Sequence, residues 1–302
     1  MAVDASVVIC TRDRPALLRQ AVAAIAAQDH PGPIETIVVF DQSEVDTSIA
    51  SDDPHRPVRV TANLRTPGLP GGRNTGASLA EGAVVAFCDD DDEWFPAKLR
   101  RQLEILAAEP STDVVVSGVR IDHEGKLIDR PCPERIRFED LLHDRIMQAN
   151  LCTAAVRREA FWDRVGPVDE GLPGGYAEDY EWMLRASRTA PIAAAPEPLV
   201  RILYHSSSFY VARWRMIDEA LEALLERYPE FDDDPVGLAR ILGQRAFARA
   251  AAGRRKEALS MVRRTLAASR REPRAYLTIL VAARVVSADR ILGLLRRAGR
   301  GV

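Results

Sequence analysis

The chain predicts an α/β fold, a mostly parallel sheet flanked by helices, followed by an all-helical C-terminal region. Three observations carry that expectation. Apolar, β-branched runs without polar alternation recur at Ser6–Cys10, Ile34–Phe40 and Val84–Cys88, the pattern of strands covered on both faces. Segments with helical apolar spacing follow them, as crossover connections between parallel strands require. From about Met216 the sequence becomes rich in Ala, Leu and Arg at helical spacing and loses its strand signals. At 302 residues two domains are expected, drawn here as 1–215 and 216–302.

Taken in order, Ser6–Cys10 is a buried strand bounded by Thr11-Arg12-Asp13-Arg14-Pro15. Pro15 suits the first turn of a helix, in which Leu17, Leu18, Val22 and Ile25 form one apolar stripe. His30-Pro31-Gly32-Pro33 breaks that helix, and Ile34–Phe40 is a second strand ending at Asp41-Gln42-Ser43. The chain thus opens as strand–helix–strand with a right-handed crossover. Val58–Thr61 reads as a third strand, the Gly- and Pro-rich Thr66–Gly72 as a loop, and Asn74–Glu81 as a short helix stopped by Gly82. Val84–Cys88 is a fourth strand running straight into Asp89. Pro96–Ala108 is an amphipathic helix, Val114–Val119 a strand and His123–Gly125 a turn. Helical stretches are expected at Phe138–Leu142, at Arg158–Val165 and in the second half of Tyr176–Ser187, the last after a flexible Gly171–Gly175. Pro191, Pro196 and Pro198 lead to a final strand, Leu199–Tyr204. The C-terminal region divides into Ile217–Arg227, Val236–Ala252, Arg255–Ser269 and Arg274–Leu295. The stretch from Ala248 has the cadence of a tetratricopeptide-type hairpin, but one partial copy does not make an array.

Composition sets bounds on function. A net charge of −3 leaves no overall electrostatic footprint for nucleic acid, so no nucleic-acid partner is expected. Cys10, Cys88, Cys132 and Cys152 form no CxxC pair, which argues against a zinc or dithiol centre and fits a reducing, cytoplasmic setting. The N-terminus lacks a basic region followed by an apolar stretch, so no signal peptide is expected, and no run is long and apolar enough for a span.

Four polar sites follow predicted strands: Thr11–Arg14, Asp41–Ser43, Asp89–Asp92 and His205. In open α/β sheets ligands bind at that edge, so these sequence-distant residues share one crevice. Asp89-Asp90-Asp91-Asp92 is the sharpest signal. Four adjacent carboxylates read either as a solvated loop or as a cation site; bracketed by Val-Val-Ala-Phe-Cys and Glu-Trp-Phe-Pro, the run favours the cation. Hard divalent ions, Mg²⁺ or Mn²⁺, take carboxylate and phosphate oxygens together. The order Asp-x-Asp lets one carboxylate face the metal while its partner meets a sugar or ribose hydroxyl. Gly71-Gly72-Arg73-Asn74-x-Gly76 reads either as an anion-binding loop at a helix start or as a plain loop-to-helix turn. Glu178-Asp179 reads either as a helix N-cap or as a general base facing a substrate hydroxyl.

Together these segments resemble the inverting family 2 glycosyltransferases of the GT-A (Rossmann-like) fold. The resemblance rests on Ser-Val-Val-Ile-Cys-Thr-Arg-Asp-Arg-Pro, Val-Val-Phe-Asp-Gln-Ser, Gly-Gly-Arg-Asn-Thr-Gly, Val-Ala-Phe-Cys-Asp-Asp-Asp-Asp-Glu-Trp-Phe-Pro-x-Lys-Leu and Ala-Glu-Asp-Tyr-Glu-Trp-Met-Leu-Arg, in family order across roughly residues 3–210. It implies that Thr11 and Arg14 line the nucleotide pocket, that Asp41 accepts a hydrogen bond from the base, and that Arg73 and Asn74 sit beside the nucleotide. It implies that Asp89 and Asp91 are the family's Asp-x-Asp, with Asp89 and Asp90 on the nucleoside and sugar side and Asp91 on the metal. Four identical residues hide the register, so Asp92 is an alternative ligand, and His205 falls where many members place a histidine near the diphosphate or metal. Asp179 would be the catalytic base, with Glu178 beside it.

The expected activity is metal-dependent transfer of a sugar, hexosyl-like, from a nucleoside-diphosphate donor (UDP-linked) to a glycan or lipid-linked acceptor, in glycan or cell-envelope polysaccharide synthesis. The sugar and acceptor are set by the loops around Cys132–Asn150 and Gly171–Ala177. The basic helical face of Arg254, Arg255, Arg263, Arg264, Arg270 and Arg271 reads either as a solvated surface or as a peripheral contact with the inner face of a membrane. Two rival readings are a nucleotidyltransferase, which would want a Lys-bearing Gly-rich loop where Thr11–Pro15 has none, and a non-catalytic nucleotide-sugar-binding scaffold, against which Asp179 argues.

Overall fold

The computed structural model describes residues 3–123, 125–203 and 213–297. In chain order the elements are β1 (Ala5–Thr11), α1 (Pro15–Ala26), β2 (Ile34–Phe40), β3 (Val58–Ala62), α2 (Leu69–Leu79), β4 (Val84–Asp89), β5 (Asp92–Trp94), α3 (Lys98–Ala108), β6 (Val114–His123), β7 (Lys126–Arg130), β8 (Arg135–Ile136), α4 (Phe138–His143), β9 (Ala155–Arg157), α5 (Glu178–Thr189), β10 (Ile192–Leu203), α6 (Trp214–Arg227), α7 (Pro235–Ala251), α8 (Arg255–Ala268), α9 (Pro273–Ala282) and α10 (Ala288–Arg297). The chain divides into two compact units: 1–138 with 146–170 and 178–204, and 139–145 with 171–177 and 205–302.

The first unit is built on one mixed sheet in the order β3-β2-β1-β4-β9-β6-β10-β5, with β7 added to β6 and β8 to β10. β1 pairs in parallel with both β2 and β4, β2 with β3, and β6 with β10. The short strands β5, β8 and β9 are antiparallel insertions. Every residue of β1 and β2 is buried, which is why those runs carry no polar alternation. Val7, Ile9, Val38 and Ala86 from the sheet meet Leu18 and Ile25 of α1 and Leu99 and Leu106 of α3 in one core.

Two expectations change. The segment read as a loop, Thr66–Gly72, is helical from Leu69: α2 starts behind the cap Gly68 with Pro70 in its first turn. A side chain at Gly71 would put its Cβ 1.9 Å from the Thr66 carbonyl oxygen, and one at Gly76 would lie 2.2 Å from Val8 Cγ1. The glycines therefore let the helix lie against β1 and its own entry loop; composition signalled a loop, and close packing made it a helix. The second change is in the C-terminal region. Arg274–Leu295 is not one helix, because Arg284 takes a left-handed φ of 61° and separates α9 from α10.

The second unit packs α7 through Leu242 and Ala246 against Met261 and Val262 of α8 and Ala275 of α9, and through Phe247 against Ala258 of α8 and Val281 of α9. Asp218 of α6 is buried there and accepts hydrogen bonds from Arg245 (2.9 Å), Arg249 (2.7 Å) and Arg254 (3.1 Å). Among the described residues no helix is long and apolar enough to cross a membrane.

Candidate active site

The parallel register aligns the carboxyl ends of the first strands: Thr11 pairs with Phe40, and Cys10 with Asp89. The strand order reverses about β1, so a crevice opens beyond these ends. A cleft of about 500 Å³ lies beside β2, lined by Phe40–Glu44, Ala62, Asn63, Arg65 and Pro67, a size that suits a small ligand. In its wall Asp41 is held by three donors: Asn63 Nδ2 at 2.8 Å and the Gly68 N–H at 3.0 Å on Oδ1, and Gln42 Nε2 at 2.9 Å on Oδ2. Burial works against its charge, but those bonds outweigh it and keep the carboxyl below its usual range. The Ser43 hydroxyl lies in the same wall, buried and without a hydrogen-bond partner among the described residues.

The acidic run spreads its carboxylates over several partners, with Arg14 shared between two of them. Asp89 ends β4 and meets Arg73 Nη2 at 2.8 Å. Asp90 and Asp91 form the turn: Asp90 accepts from Thr11 Oγ1 at 2.7 Å and Arg14 Nη1 at 3.1 Å, and Asp91 from the same Arg14 nitrogen at 2.8 Å. Asp92 begins β5, pinned opposite Ile202 of β10. Its carboxyl is buried, and burial, with Asp89 adding, pushes its pKa well above the usual range. Oxygens of Asp89 and Asp92 and the sulfur of Cys152 lie within 4.8 Å of one another. A buried carboxylate beside a second one is the setting that a divalent cation relieves. Burial also pushes the Cys152 thiol well up, so it stays protonated and is a poor donor for a hard ion. The two carboxylates fit a hard divalent cation.

Arg73 connects this run to the helix that carries the expected base. Deep in α2, it spans from Asp89 to Glu178 Oε1 at 2.5 Å. Burial opposes its charge, but the two carboxylates hold it firmly protonated. Glu178 is buried as well; desolvation chiefly, and Asp179 in lesser part, raise its pKa to about 7 against the pull of Arg73. Asp179, half-buried, follows in the first turn of α5. The helix is anchored by Trp182, whose Nε1 donates to the Gly166 carbonyl at 2.9 Å and whose ring stacks on Phe161 at 5.9 Å; Phe161 in turn meets Phe87 of β4 at 5.6 Å. The base candidate and the acidic run are thus tied to one strand.

Thr11, Arg14, Asp41, Arg73, Asp89–Asp92, Glu178 and Asp179 all lie at this sheet edge. Thr11 and Arg14 brace the acidic run rather than the β2 cleft. Asn74 lies fully buried, its amide joined to Val168 and Glu170, so it supports the 168–170 segment from beneath. His205 lies outside the described residues. Sequence reasoning missed Asn63, although it stands just beyond the third strand, where the strand-end rule points. It also missed Glu170 and Cys152, which reach the site from distant segments.

A family model, Glycosyl transferase family 2, matches residues 6–165. The chain belongs to glycosyltransferase family 2. An uncharacterised glycosyltransferase of Nostoc is 30% identical over 177 residues, 54% of this chain and 53% of that protein, so the chain spans about half that relative's length. An uncharacterised protein of Mycobacterium tuberculosis is 28% identical over 241 residues, 73% of this chain and 68% of that one. Among solved structures, residues 1–349 of TarS from S. aureus in complex with UDP-GlcNAc align with a TM-score of 0.62 at 18% identity, covering 88% of this chain and 81% of that one. The fold is that of the GT-A glycosyltransferases.

Proposed function

We propose that this chain moves a sugar from a nucleoside-diphosphate donor, UDP-linked, to a hydroxyl of a glycan or lipid-linked acceptor, with inversion at the anomeric carbon. The observation that carries the reading is the Arg73 bridge, which joins Asp89 of the acidic run to Glu178 beside Asp179 and so makes donor-side and base-side elements one hydrogen-bonded unit. The TarS complex with UDP-GlcNAc supports a uridine donor. In the reaction Asp179 accepts the proton of the acceptor hydroxyl as its oxygen attacks the anomeric carbon, and the bond to the diphosphate breaks with its electron pair leaving on the phosphate oxygen. Asp89 and Asp92 would hold a Mg²⁺ or Mn²⁺ ion, with Asp91 the alternative to Asp92; bound there, such an ion would supply positive charge toward the leaving diphosphate. Asp41 and Asn63 orient the base in the β2 cleft.

Asp179→Asn is expected to abolish transfer while leaving UDP affinity near normal, measured with a panel of nucleotide sugars and by calorimetry. Transfer at the wild-type rate would remove Asp179 from the mechanism. Asp92→Asn should weaken Mn²⁺-dependent UDP binding more than Asp91→Asn; the reverse order would assign the ion to Asp91.

A lipid-linked acceptor would suit the second unit. From Ala258 to Ala288 the only carboxylate is Glu272, buried, against six arginines, and Tyr276, Ile279 and Leu280 form an exposed stripe on α9. That combination is complementary to an anionic lipid surface. Flotation with vesicles containing phosphatidylglycerol, but not with phosphatidylcholine alone, is the expected result, and no binding to either would dismiss the membrane contact.

A further inference from the structure

We infer that Glu170 is a positioning residue that locks the wall of the β2 cleft in place. Its carboxylate gathers donors from two directions. Oε1 accepts from Arg65 Nε and from Asn74 Nδ2 at 2.8 Å; Oε2 accepts from the Thr66 N–H at 3.2 Å and from the Thr66 hydroxyl. Asn74 belongs to the rigid face of α2, and its amide is fixed on the far side by Val168 N and O at 2.9 and 2.8 Å. Arg65 and Thr66 belong to the loop between β3 and α2. One buried-side anchor thus holds a surface loop.

What that loop does for the cleft follows from its other bonds. Asn63 Nδ2 and the Gly68 N–H, at its two ends, both donate to Asp41 Oδ1, and Asn63 Nδ2 also donates to the Thr66 carbonyl at 2.9 Å. The same Thr66 carbonyl rests on Gly71, where no Cβ would fit. Arg65 and Pro67 line the cleft itself. Near its start the loop is also held from α2, where Thr75 Oγ1 accepts from the Leu64 N–H at 3.2 Å, and Arg65 N is bonded within the loop to Asn63 Oδ1 at 3.0 Å; among the described residues the hydrogen bonds that reach Arg65 and Thr66 from outside the loop and its flanking turn are those of Glu170. Several donors outweigh partial burial and keep the Glu170 carboxyl below its usual range, so the anchor is ionised at neutral pH. Removing it frees Arg65 and Thr66 to swing, and the orientation of Asp41 toward a bound base loosens with them.

The consequence for donor binding rests on the proposed use of the cleft; the locking of the loop does not. Two measurements separate them. Hydrogen exchange on the full chain is expected to speed up at residues 64–68 in Glu170→Ala, while β1 and α7 remain protected. Unchanged exchange at 64–68 would overturn the assignment. Calorimetry with UDP and Mn²⁺ is expected to show about tenfold weaker binding in Glu170→Ala, a partial recovery in Glu170→Gln, and an unfolding midpoint within a few degrees of wild type. Equal UDP affinity in all three proteins would overturn the positioning role. Should Glu170→Ala fail to fold, Thr66→Val and Arg65→Met test the same anchor from the loop side. Faster exchange in a protein whose wild-type form binds none of UDP, CDP and GDP would support the lock and refute the donor-cleft reading instead.

Discussion

Arg73→Met tests the connection at the centre of the site. Arg73 and Glu178 are each about 95% buried, whereas the Asp89 side chain is 35% exposed. Glu178 titrates near 7 even beside Arg73, so at pH 8 and above removing the guanidinium takes the counter-charge from a carboxylate in a dry setting, and breaking a buried pair in this way costs about 3–5 kcal/mol. Asp89 can hydrate, so its share is about 1 kcal/mol or less. At roughly 2–4 °C per kcal/mol for a unit of this size, the first unit should lose about 6–24 °C of midpoint. Replacing both partners by apolar residues, Arg73→Met with Glu178→Met, should restore most of the loss, because two apolar groups then fill the volume with no charge stranded. Urea unfolding followed by tryptophan fluorescence in a Trp214→Phe background, which leaves Trp94, Trp162 and Trp182, reports on this unit. A single-variant cost under about 1 kcal/mol, or a double variant as unstable as the sum of the singles, would refute the argument.

Three further outcomes follow. Gly76→Ala should cost about 1–3 kcal/mol by driving a methyl to 2.2 Å from Val8 Cγ1, and Val8→Ala should partly rescue it in a thermal-shift series. Lys98 is fully buried, 3.6 Å above the Trp94 ring and bonded to Gln102, and burial lowers its pKa to about 7. Between about pH 7 and 10 the unfolded chain binds a proton there that the folded one does not, so this residue's contribution to stability rises with pH by about 1.4 kcal/mol per unit; Lys98→Met should therefore compare best with wild type near pH 6 and worst near pH 10, and a pH-independent difference would contradict this. Asp218→Ala removes the buried partner of Arg245 and leaves it only the half-exposed Glu222 at 2.6 Å, so it should cost about 3 kcal/mol, visible as faster hydrogen exchange in α6 and α7 with β1 and β2 unchanged.

What could be read from the sequence follows the physics of burial. β1 and β2 were legible because every one of their residues is covered, which leaves an apolar signature that only a central strand produces. β5, β8 and β9 were not, since two or three residues carry no periodicity and owe their conformation to neighbours such as Ile202 opposite Asp92. The start of α2 was hidden because glycine and proline are loop-formers by local propensity; their reason for being there is the approach of the helix to Thr66 and Val8. The strand-end residues Thr11, Asp41 and Asp89 could be gathered from topology alone, but Asn63 required applying the same rule at the third strand. Cys152 and Glu170 had no local mark, since they meet the site only through tertiary contacts.

The division of the acidic run has a bearing on how such chains tolerate change. Asp89 answers to Arg73, Asp90 to Thr11 and Arg14, Asp91 to the same Arg14 and Asp92 to the β10 pairing, although all four are the same residue. A codon deletion within the run would leave three aspartates in place and an alignment that still scores as an intact acidic motif. Yet β4 and β5 fix both ends, so the loss would shorten the turn between them and hand each carboxylate its neighbour's position. Among relatives, the length of this run is therefore more informative than its composition: a homologue with one aspartate fewer has lost a partner, whichever position the alignment happens to leave blank.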